Sequence, residues 1–175
     1  MIKLIDLLEN KILVPRRSPE ERSKNYIIAT QKKIQQYIKD GSKGDLNLRN
    51  TPITSLPQGL TVKGNLDLSN SQITSLPQGL TIGGSLYLYR TPITTISQDL
   101  TVGGNLDLSN SSITSLSPGL KVGGYLDLSY TPITALPQDL SVGGNLHLRN
   151  TPLSKKYNEE QIRQMVPGVK GEIIR

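Results

Sequence analysis

Residues 64–83 read GNLDLSNSQITSLPQGLTIG, and residues 84–103, which follow directly, read GSLYLYRTPITTISQDLTVG. The same twenty-residue pattern begins at Gly44 and runs to Leu153, which gives five full copies and part of a sixth. Self-similarity at a short fixed period is typical of a solenoid, in which each unit buries its apolar side chains by stacking on its neighbours. The sequence therefore predicts one elongated stack of coils over residues 44–153.

Each unit carries apolar residues at the same six places, which in the second copy are Leu66, Leu68, Ile73, Leu76, Leu80 and Ile82. Leu66 and Leu68 are two residues apart, so they share one face of a strand while the polar residues between and beside them take the other. A Thr-Pro pair ends the strand in several copies, because proline cannot donate to a ladder. Gly-Gly marks the corner between units. We expect one short parallel strand in each coil, joined by turns.

The pattern LxLxxTxIxxLPxxLxV resembles the bacterial leucine-rich repeat family, whose motif is LxxLxLxxNxL followed by LP. The resemblance covers about 110 of the 175 residues. It implies an α/β leucine-rich repeat solenoid of mostly short parallel strands, with little helix on the convex side. The short units with Gly-Gly boundaries are also similar to those of small proteins encoded by tailed bacteriophages. A pentapeptide-repeat solenoid is the alternative, but its five-residue period is absent.

The sequence departs from that family's pattern at two places. The asparagine that family members stack in a hydrogen-bonded ladder is replaced by a hydroxyl residue, and we expect that hydroxyl to bond a neighbouring backbone group. The residues at this place are Thr51, Ser71, Thr91, Ser111, Thr131 and Thr151. The family's leading leucine is also missing, and Val or Ile one residue earlier takes its place.

Both flanks of the repeats are predicted to be helical caps. Ser18-Pro19-Glu20-Glu21 has the form of a capping box, so a helix should run from there to about Asp40 and end at Gly41. Residues 2–9 predict a shorter helix, and a second short helix is expected from Asn158 to about Val166, followed by a last strand or a frayed tail. The predicted organisation is an N-terminal cap (1–43), the solenoid (44–153) and a C-terminal cap (154–175), in a single structural unit.

Composition narrows the function classes. The chain has no cysteine and a single histidine, His147, so it offers no thiolate site and no histidine cluster for a metal. No signal peptide and no run long enough to span a bilayer is apparent, so we expect a cytoplasmic protein, in the host cytoplasm or the virion if it is phage-encoded. The net charge of +6 lies in the flanks, since residues 1–43 carry ten Lys and Arg against five Asp and Glu.

Four of the seven tyrosines are expected on the outward positions of the strand face, where other copies use Asn, Asp or Ser. Tyrosine and arginine are the residue types most common in binding hot spots. We therefore predict a partner-binding surface formed by Tyr87, Tyr89, Arg90, Tyr125, Asp127 and Tyr130. The alternative is that exposed tyrosine is here simply a good strand former.

Enzymatic interpretations are weaker. Asp107 and Asp127 fall on adjacent coils at a spacing that suits a glycosidase pair or a cation, but an open sheet offers no pocket and the pair also follows from copying LDLS. We therefore predict a non-enzymatic protein-protein interaction module with no catalytic residues, metal or cofactor and no membrane contact. The alternatives are a structural or assembly protein of the virion, and nucleic-acid binding through the basic termini, which we regard as the less favoured.

Overall fold

The computed structural model describes residues 18–98 and 100–175, so the short helix predicted for residues 2–9 lies outside the described residues. Helix α1, Pro19–Lys39, begins as predicted. The Ser18 hydroxyl accepts from the Glu21 N–H and the Glu21 carboxylate accepts from the Ser18 N–H, which satisfies two of the donors that a helix start leaves unpaired. None of the described helices is long and apolar enough to cross a membrane.

The repeats form a continuous stack of coils, and each full coil contributes two short parallel strands. The prediction of one strand in each coil is therefore corrected. The first strand comes from the Leu-x-Leu segment and the second from the Thr-Val segment at the end of the unit. Together they make two sheets, which we call the front sheet and the back sheet. The solenoid of short parallel strands with little convex-side helix, capped by helices at both ends, is confirmed.

The front sheet contains seven described strands in the order β1 (Leu46–Asn47), β3 (Leu66–Asp67), β5 (Leu86–Tyr87), β7 (Leu106–Asp107), β9 (Leu126–Asp127), β11 (Leu146–His147) and β12 (Ile173–Ile174). The back sheet contains five in the order β10 (Ser141–Val142), β8 (Lys121–Val122), β6 (Thr101–Val102), β4 (Thr81–Ile82) and β2 (Thr61–Val62). Within the repeats each residue pairs with the residue twenty positions on, so equivalent side chains form straight columns.

The core lies between the two sheets and is made of these columns. Leu66, Leu86, Leu106 and Leu126 are fully buried, as are their equivalents two residues later. The predicted apolar places are therefore confirmed as core. Leu136 is the exception, since it is only partly buried against the core. Because every coil buries the same set, the stacked layers are thin and aliphatic, as the absence of Phe and Trp requires.

The Gly-Gly corners are required by close backbone approach rather than by unusual torsion angles. A Cβ on Gly103 would collide with the carbonyl oxygen of Gly83 in the coil before it. Gly104 donates its N–H to the carbonyl of Gly84, so the corner backbones of successive coils bond directly. The backbones of successive coils approach so closely at this corner that a Cβ does not fit between them. The same close approach requires glycine at the second position of the pair.

A side-chain ladder connects the coils, but not at the place that the family resemblance suggested. At the hydroxyl place the Thr side chains bond backward within their own coil, as Thr131 Oγ1 does to the Leu128 carbonyl at 2.6 Å. The Oγ atoms of Ser71 and Ser111 are buried without a partner, so the expected backbone bond forms at the Thr residues only. The ladder between coils runs one residue before each front strand, where Asn65 Oδ1, for example, accepts from the Ser85 N–H.

The C-terminal flank closes both sheets at once. After α2, Pro152–Lys156, and α3, Glu159–Met165, the chain pairs β12 with β11 and bridges Val169 to Val142 of β10. The segment 169–174, VKGEII, matches 142–147, VGGNLH, in spacing, so the tail imitates a coil. This confirms the alternative of a last strand at 172–174.

At the N-terminal end α1 covers the edge of β1 mainly with polar side chains. Tyr26, Lys33 and Tyr37 donate to the backbone carbonyls of Asn50, Asn47 and Gly44 respectively. Edge carbonyls without partners invite pairing with other chains, so these contacts protect the sheet. The apolar side chains of α1 are only partly buried. Thr30 and Ile34 are buried, whereas Tyr26, Ile27, Ile28 and Ile38 are exposed.

Candidate strand-face site

The candidate site lies on the outward side of the front sheet, where one column of side chains runs along its centre. The column consists of Asn47, Asp67, Tyr87, Asp107, Asp127 and His147, each in register with the next. Neighbouring parallel strands lie about 4.8 Å apart, so these side chains are immediate neighbours. Except for Asn47, which is exposed, all of them are half-buried.

Four side chains of this column form hydrogen bonds that shape the backbone. Asn47, Asp67, Asp107 and Asp127 each accept, through Oδ1, a hydrogen bond from the N–H two residues later at 2.8–3.0 Å. This Asx turn shapes the bend that ends the strand. Tyr87 and His147 make no such bond. The fold therefore does not explain why Tyr and His stand at these two places instead of the Asn or Asp of the other coils.

The two carboxylates at the centre of the column are not neutralised. Asp67 has Arg49 at 3.9 Å, but Asp107 and Asp127 form no ion pair with any described residue. Burial raises the pKa of the Asp107 carboxyl, hydrogen bonds from the Ser109 hydroxyl and N–H lower it, and the charges of Asp127 and Asp67 raise it further. The net effect is a raised pKa. Adjacent like charges that lack a counter-ion favour a positively charged ligand at this place.

Tyr125 stands beside the column at the ladder place, where the other coils carry Asp, Asn or Ser. Its phenol cannot take over the ladder bond, so the ladder has no step from Tyr125 to Asn145, although Asn145 resumes it by accepting from the Glu172 N–H. The Tyr125 ring instead lies 5.8 Å from the His147 ring, centroid to centroid, at an interplanar angle of 51°. Burial first, then Asp107, Tyr87 and Asp127, raise the pKa of Tyr125. These neighbours place Tyr125 against the acidic centre.

Tyr89 and Arg90 form a second aromatic contact at the end of β5. Tyr89 occupies a place that Ser69, Ser109 and Ser129 fill as buried hydroxyls, and the Arg90 guanidinium carbon lies 5.0 Å from the centre of its ring. An arginine over a tyrosine face is a cation–π contact. This pair adds a positive charge to the edge of an otherwise acidic surface.

Arg90 and Tyr130 lie on the turn after the strand rather than on the sheet, which corrects their predicted placement. Both have a left-handed backbone, with φ of 52° and 59°, at a place where the other coils use asparagine: Asn50, Asn70, Asn110 and Asn150. Asparagine tolerates this region far better than Arg or Tyr does. Tyr130 is 52% exposed, so neither local backbone preference nor burial accounts for it.

The structure thus groups the predicted residues into a centre and a rim. Tyr87 and Asp127 lie at the centre on either side of Asp107, with Tyr125 beside them, while Tyr89, Arg90 and Tyr130 lie along the rim two coils apart. Sequence reasoning missed Asp107 as a member, because it weighed the residue only as half of a catalytic or cation-binding pair. It also missed His147, which it considered only as a possible metal ligand. The missing acceptor at His147 is the signal that could have identified it. We call these eight residues the strand-face site: Tyr87, Tyr89, Arg90, Asp107, Tyr125, Asp127, Tyr130 and His147.

The strand-face site is an open surface. Four cavities lined by described residues lie elsewhere, against α1 and along the turns of the coils. Within residues 18–98 and 100–175, no group of three or more His, Cys, Asp or Glu side chains is arranged to hold a metal ion. The arrangement therefore suits contact with another macromolecule better than enclosure of a small molecule.

The sequence matches no known family model and no curated protein, so the leucine-rich-repeat-like character of the chain rests on its twenty-residue parallel coils.

Proposed function

We propose that this protein is a non-enzymatic interaction module that binds a partner protein through the strand-face site. The main observation behind the proposal is that Tyr87, Tyr125 and His147 lack the side-chain-to-backbone hydrogen bonds that recur at the same places in other coils. Each replaces a side chain that in other coils bonds the backbone, and all three lie on the same face. Tyr125 contacts His147, and Tyr87 lies in the same column as His147 with Asp107 and Asp127 between them. Residues that forgo a structural bond and cluster on one surface are best explained by contact with a ligand.

The aromatic side chains supply the binding energy in this proposal. Tyrosine presents a large rigid surface with a polar end and loses little conformational entropy on binding, so it is common in hot spots. Tyr87 and Tyr125 lie half-buried at the centre, and Tyr130 projects from the rim. A central aromatic cluster with a more exposed rim is the usual anatomy of a protein interface.

The charges define what the partner must carry. The Asp107 and Asp127 carboxylates form no ion pair with any described residue, so a Lys or Arg side chain from the partner would meet two acceptors and two phenol rings there. Arg90, on the rim, would meet an acidic or carbonyl group. Charge complementarity of this kind sets partner choice and register more than affinity.

The resemblance of the repeats to those of tailed-phage proteins extends the proposal to the kind of partner. A phage-encoded protein of this type would bind a host protein or a virion component, in the host cytoplasm or in the virion. A structural role in the virion remains the alternative, in which the helical caps rather than the front sheet make the contacts. Nucleic-acid binding through the basic flanks is the remaining alternative.

A five-residue variant tests the proposal by returning the site to the residues of the other coils. Tyr87→Asp, Tyr89→Ser, Arg90→Asn, Tyr125→Asn and Tyr130→Asn each install a residue that the equivalent place already carries, so folding should be kept. A matched control changes exposed residues of the back sheet, with Lys121→Thr and Thr101→Lys. Affinity capture with mass spectrometry from the natural host, followed by titration of the purified partner, should show at least a tenfold loss for the site variant alone.

The alternatives predict different outcomes of the same comparison. Binding that survives the five changes and is lost on truncating the caps would establish an assembly role and exclude the strand-face site. Binding that falls steeply with salt and ignores the five changes would indicate nucleic acid, since phosphate contacts release counter-ions.

A further inference from the structure

His147 is the single histidine of the chain and the last of the six residues in the central column of the front sheet. Its partner in β9 is Asp127, so the imidazole and that carboxylate are neighbours in one column. The imidazole ring also lies 5.8 Å from the Tyr125 ring, centroid to centroid. A titratable ring is therefore placed beside an acidic and an aromatic residue of the strand-face site.

The other charged residues near His147 do not share its register. On the opposite side, β12 places the uncharged Ile174 level with His147. The charged residues that follow or flank these strands are all exposed: Arg149, Glu172 and Arg175. The Arg175 guanidinium is also occupied, because it donates to the Ser154 carbonyl at 2.6 and 3.2 Å. Asp127 is therefore the only charged residue in register with His147 on the two described strands beside it.

The acidic centre next to His147 is not balanced by other charges. Asp107 and Asp127 form no ion pair with any described residue. Their charges also act at a distance, since after burial they are among the causes that raise the pKa of Tyr125. A positive charge at His147 would be added to side chains that already interact electrostatically, so it would change the whole centre.

We propose that His147 is a pH switch for the strand-face site, an inference that rests on the proposed function. Histidine is the side chain that ordinarily gains its proton between about pH 8 and pH 5. A protonated ring at this place is a cation beside Asp127 and offsets part of the negative charge of the centre. A Lys or Arg side chain of the partner then meets less negative charge, so binding weakens as the pH falls.

The repeat supplies a variant that removes the switch and keeps the fold. Asn47 occupies the same place in the first coil, where its Oδ1 accepts from the Arg49 N–H at 3.0 Å. His147→Asn therefore removes the titratable ring and installs an acceptor that suits the backbone. Arg149→Ser is the matched control, because it removes a fixed positive charge two residues away and installs the residue found at Ser129.

The first test follows the free protein by NMR and needs no partner. The Ser129 N–H donates to Asp127 Oδ1 at 2.8 Å, so the Ser129 amide signal reports the surroundings of that carboxylate. Between about pH 8 and pH 5 we expect the Ser129 amide and Tyr125 ring signals to move in the wild type and in Arg149→Ser. His147→Asn should lose most of this movement. Equal movement in His147→Asn would show that another group titrates, which overturns the proposal.

The second test measures binding, with a labelled pentalysine peptide as the probe, at about pH 5.5 and pH 7.5 and constant ionic strength. The wild type should bind the peptide roughly two- to fivefold more tightly at the higher pH, which is the range of a partly exposed charge pair. Arg149→Ser should bind more tightly than the wild type by a similar factor at both pH values. His147→Asn should bind almost equally at both.

The outcomes separate the switch from the proposed function. Binding that is independent of pH in the wild type, or equally dependent on pH in His147→Asn, overturns the switch and leaves the strand-face site standing as a surface that binds cations. Failure of the peptide to bind at either pH overturns the switch and also the charge preference of the proposed function. The same holds if Asp107→Asn with Asp127→Asn leaves the affinity unchanged. Dependence on pH that requires His147 and both carboxylates supports the proposal.

Discussion

The rings of Tyr125 and His147 lie 5.8 Å apart on neighbouring coils, at the point where the side-chain ladder between coils loses a step. In the preceding coils, Asn65, Ser85 and Asn105 each present an oxygen to the N–H of the next coil. Tyr125 presents a ring instead, and that ring contacts His147. A structural hydrogen bond has thus been exchanged for an aromatic pair on the outward surface, and this exchange distinguishes the bonds that the solenoid uses from the residues of the proposed binding site.

Tyr125→Asn should therefore separate stability from binding. The variant regains a side-chain acceptor for the Asn145 N–H, worth about 0.5–1.5 kcal/mol, and loses an aromatic pair of similar value. We expect urea unfolding to change by less than about 1 kcal/mol while the affinity for the captured partner falls at least tenfold.

Asn105→Ala is the matched control for that experiment. It removes the ladder acceptor for the Tyr125 N–H in the coil before, so it should lower the free energy of unfolding by about 1 kcal/mol. Partner binding should change little. If the two variants lose affinity equally, the site depends on the integrity of the ladder rather than on the Tyr125 ring.

Tyr130→Asn should stabilise the protein. Tyr130 holds a left-handed backbone, with φ of 59°, that asparagine adopts in the equivalent turn of four other coils. Relief of this strain should raise the free energy of unfolding by on the order of 1 kcal/mol, measured by urea titration. The reciprocal change, Asn110→Tyr, should destabilise by a similar amount. A destabilising Tyr130→Asn would show that the exposed ring makes a structural contact.

The repeat arithmetic explains how far the sequence predicts the fold. The columns of Leu66 and Leu68 and their equivalents follow from a period of two within a strand and of twenty between coils, and both are visible in the letters. The back sheet was missed, because its two-residue strands, such as Thr61–Val62, contain too little alternation to register as strands. The coil formed by 169–174 was missed because only its spacing, and not its residue types, repeats.

The candidate site is predictable only in part, for a different reason. Tyr87 and Tyr125 stand out because they differ from their columns, so comparison of the copies identifies them. That comparison does not show which polar residues are occupied by structural bonds. Asp67 and Asp107 stand in the same LDLSN context in the sequence. In the structure Arg49 lies near Asp67 and pairs with it, whereas Asp107 has no ion-pair partner among the described residues. The left-handed turn at Arg90 is likewise a property of the backbone.

The Asp107 carboxyl should make stability depend on pH in the direction opposite to most carboxyl groups. Burial and the neighbouring Asp127 and Asp67 raise its pKa in the folded state above the unfolded value. As pH rises, the unfolded chain releases this proton first, so stability falls through the window between the two pKa values and stays lower above it. Its pKa can be followed directly by NMR titration, and a value at or below that of a free aspartate would contradict the expected sign.

Asp107→Asn tests the same point by mutation. The amide oxygen can still accept from the Ser109 N–H, but the charge is gone. We expect a gain at neutral pH, below about 1 kcal/mol because solvent screens the half-buried group, and no difference in acid where the wild-type carboxyl is already protonated. Asp67→Asn is the control. It removes a partner of Arg49 and should give no gain at neutral pH.

The hydroxyl place of the repeat offers the last comparison, because the same column contains satisfied and unsatisfied oxygens. Thr131 Oγ1 donates to the Leu128 carbonyl, whereas Ser71 Oγ and Ser111 Oγ are buried without a partner. Removal of an unsatisfied hydroxyl lifts a desolvation cost, so Ser71→Ala and Ser111→Ala should each leave the free energy of unfolding unchanged or raise it by up to about 1 kcal/mol. Thr131→Ala removes a hydrogen bond and a buried methyl group and should lower it by roughly 1–2 kcal/mol. Urea titrations of the three variants decide the matter, since a loss at Ser71 equal to that at Thr131 would mean that the serine hydroxyls also find acceptors in solution.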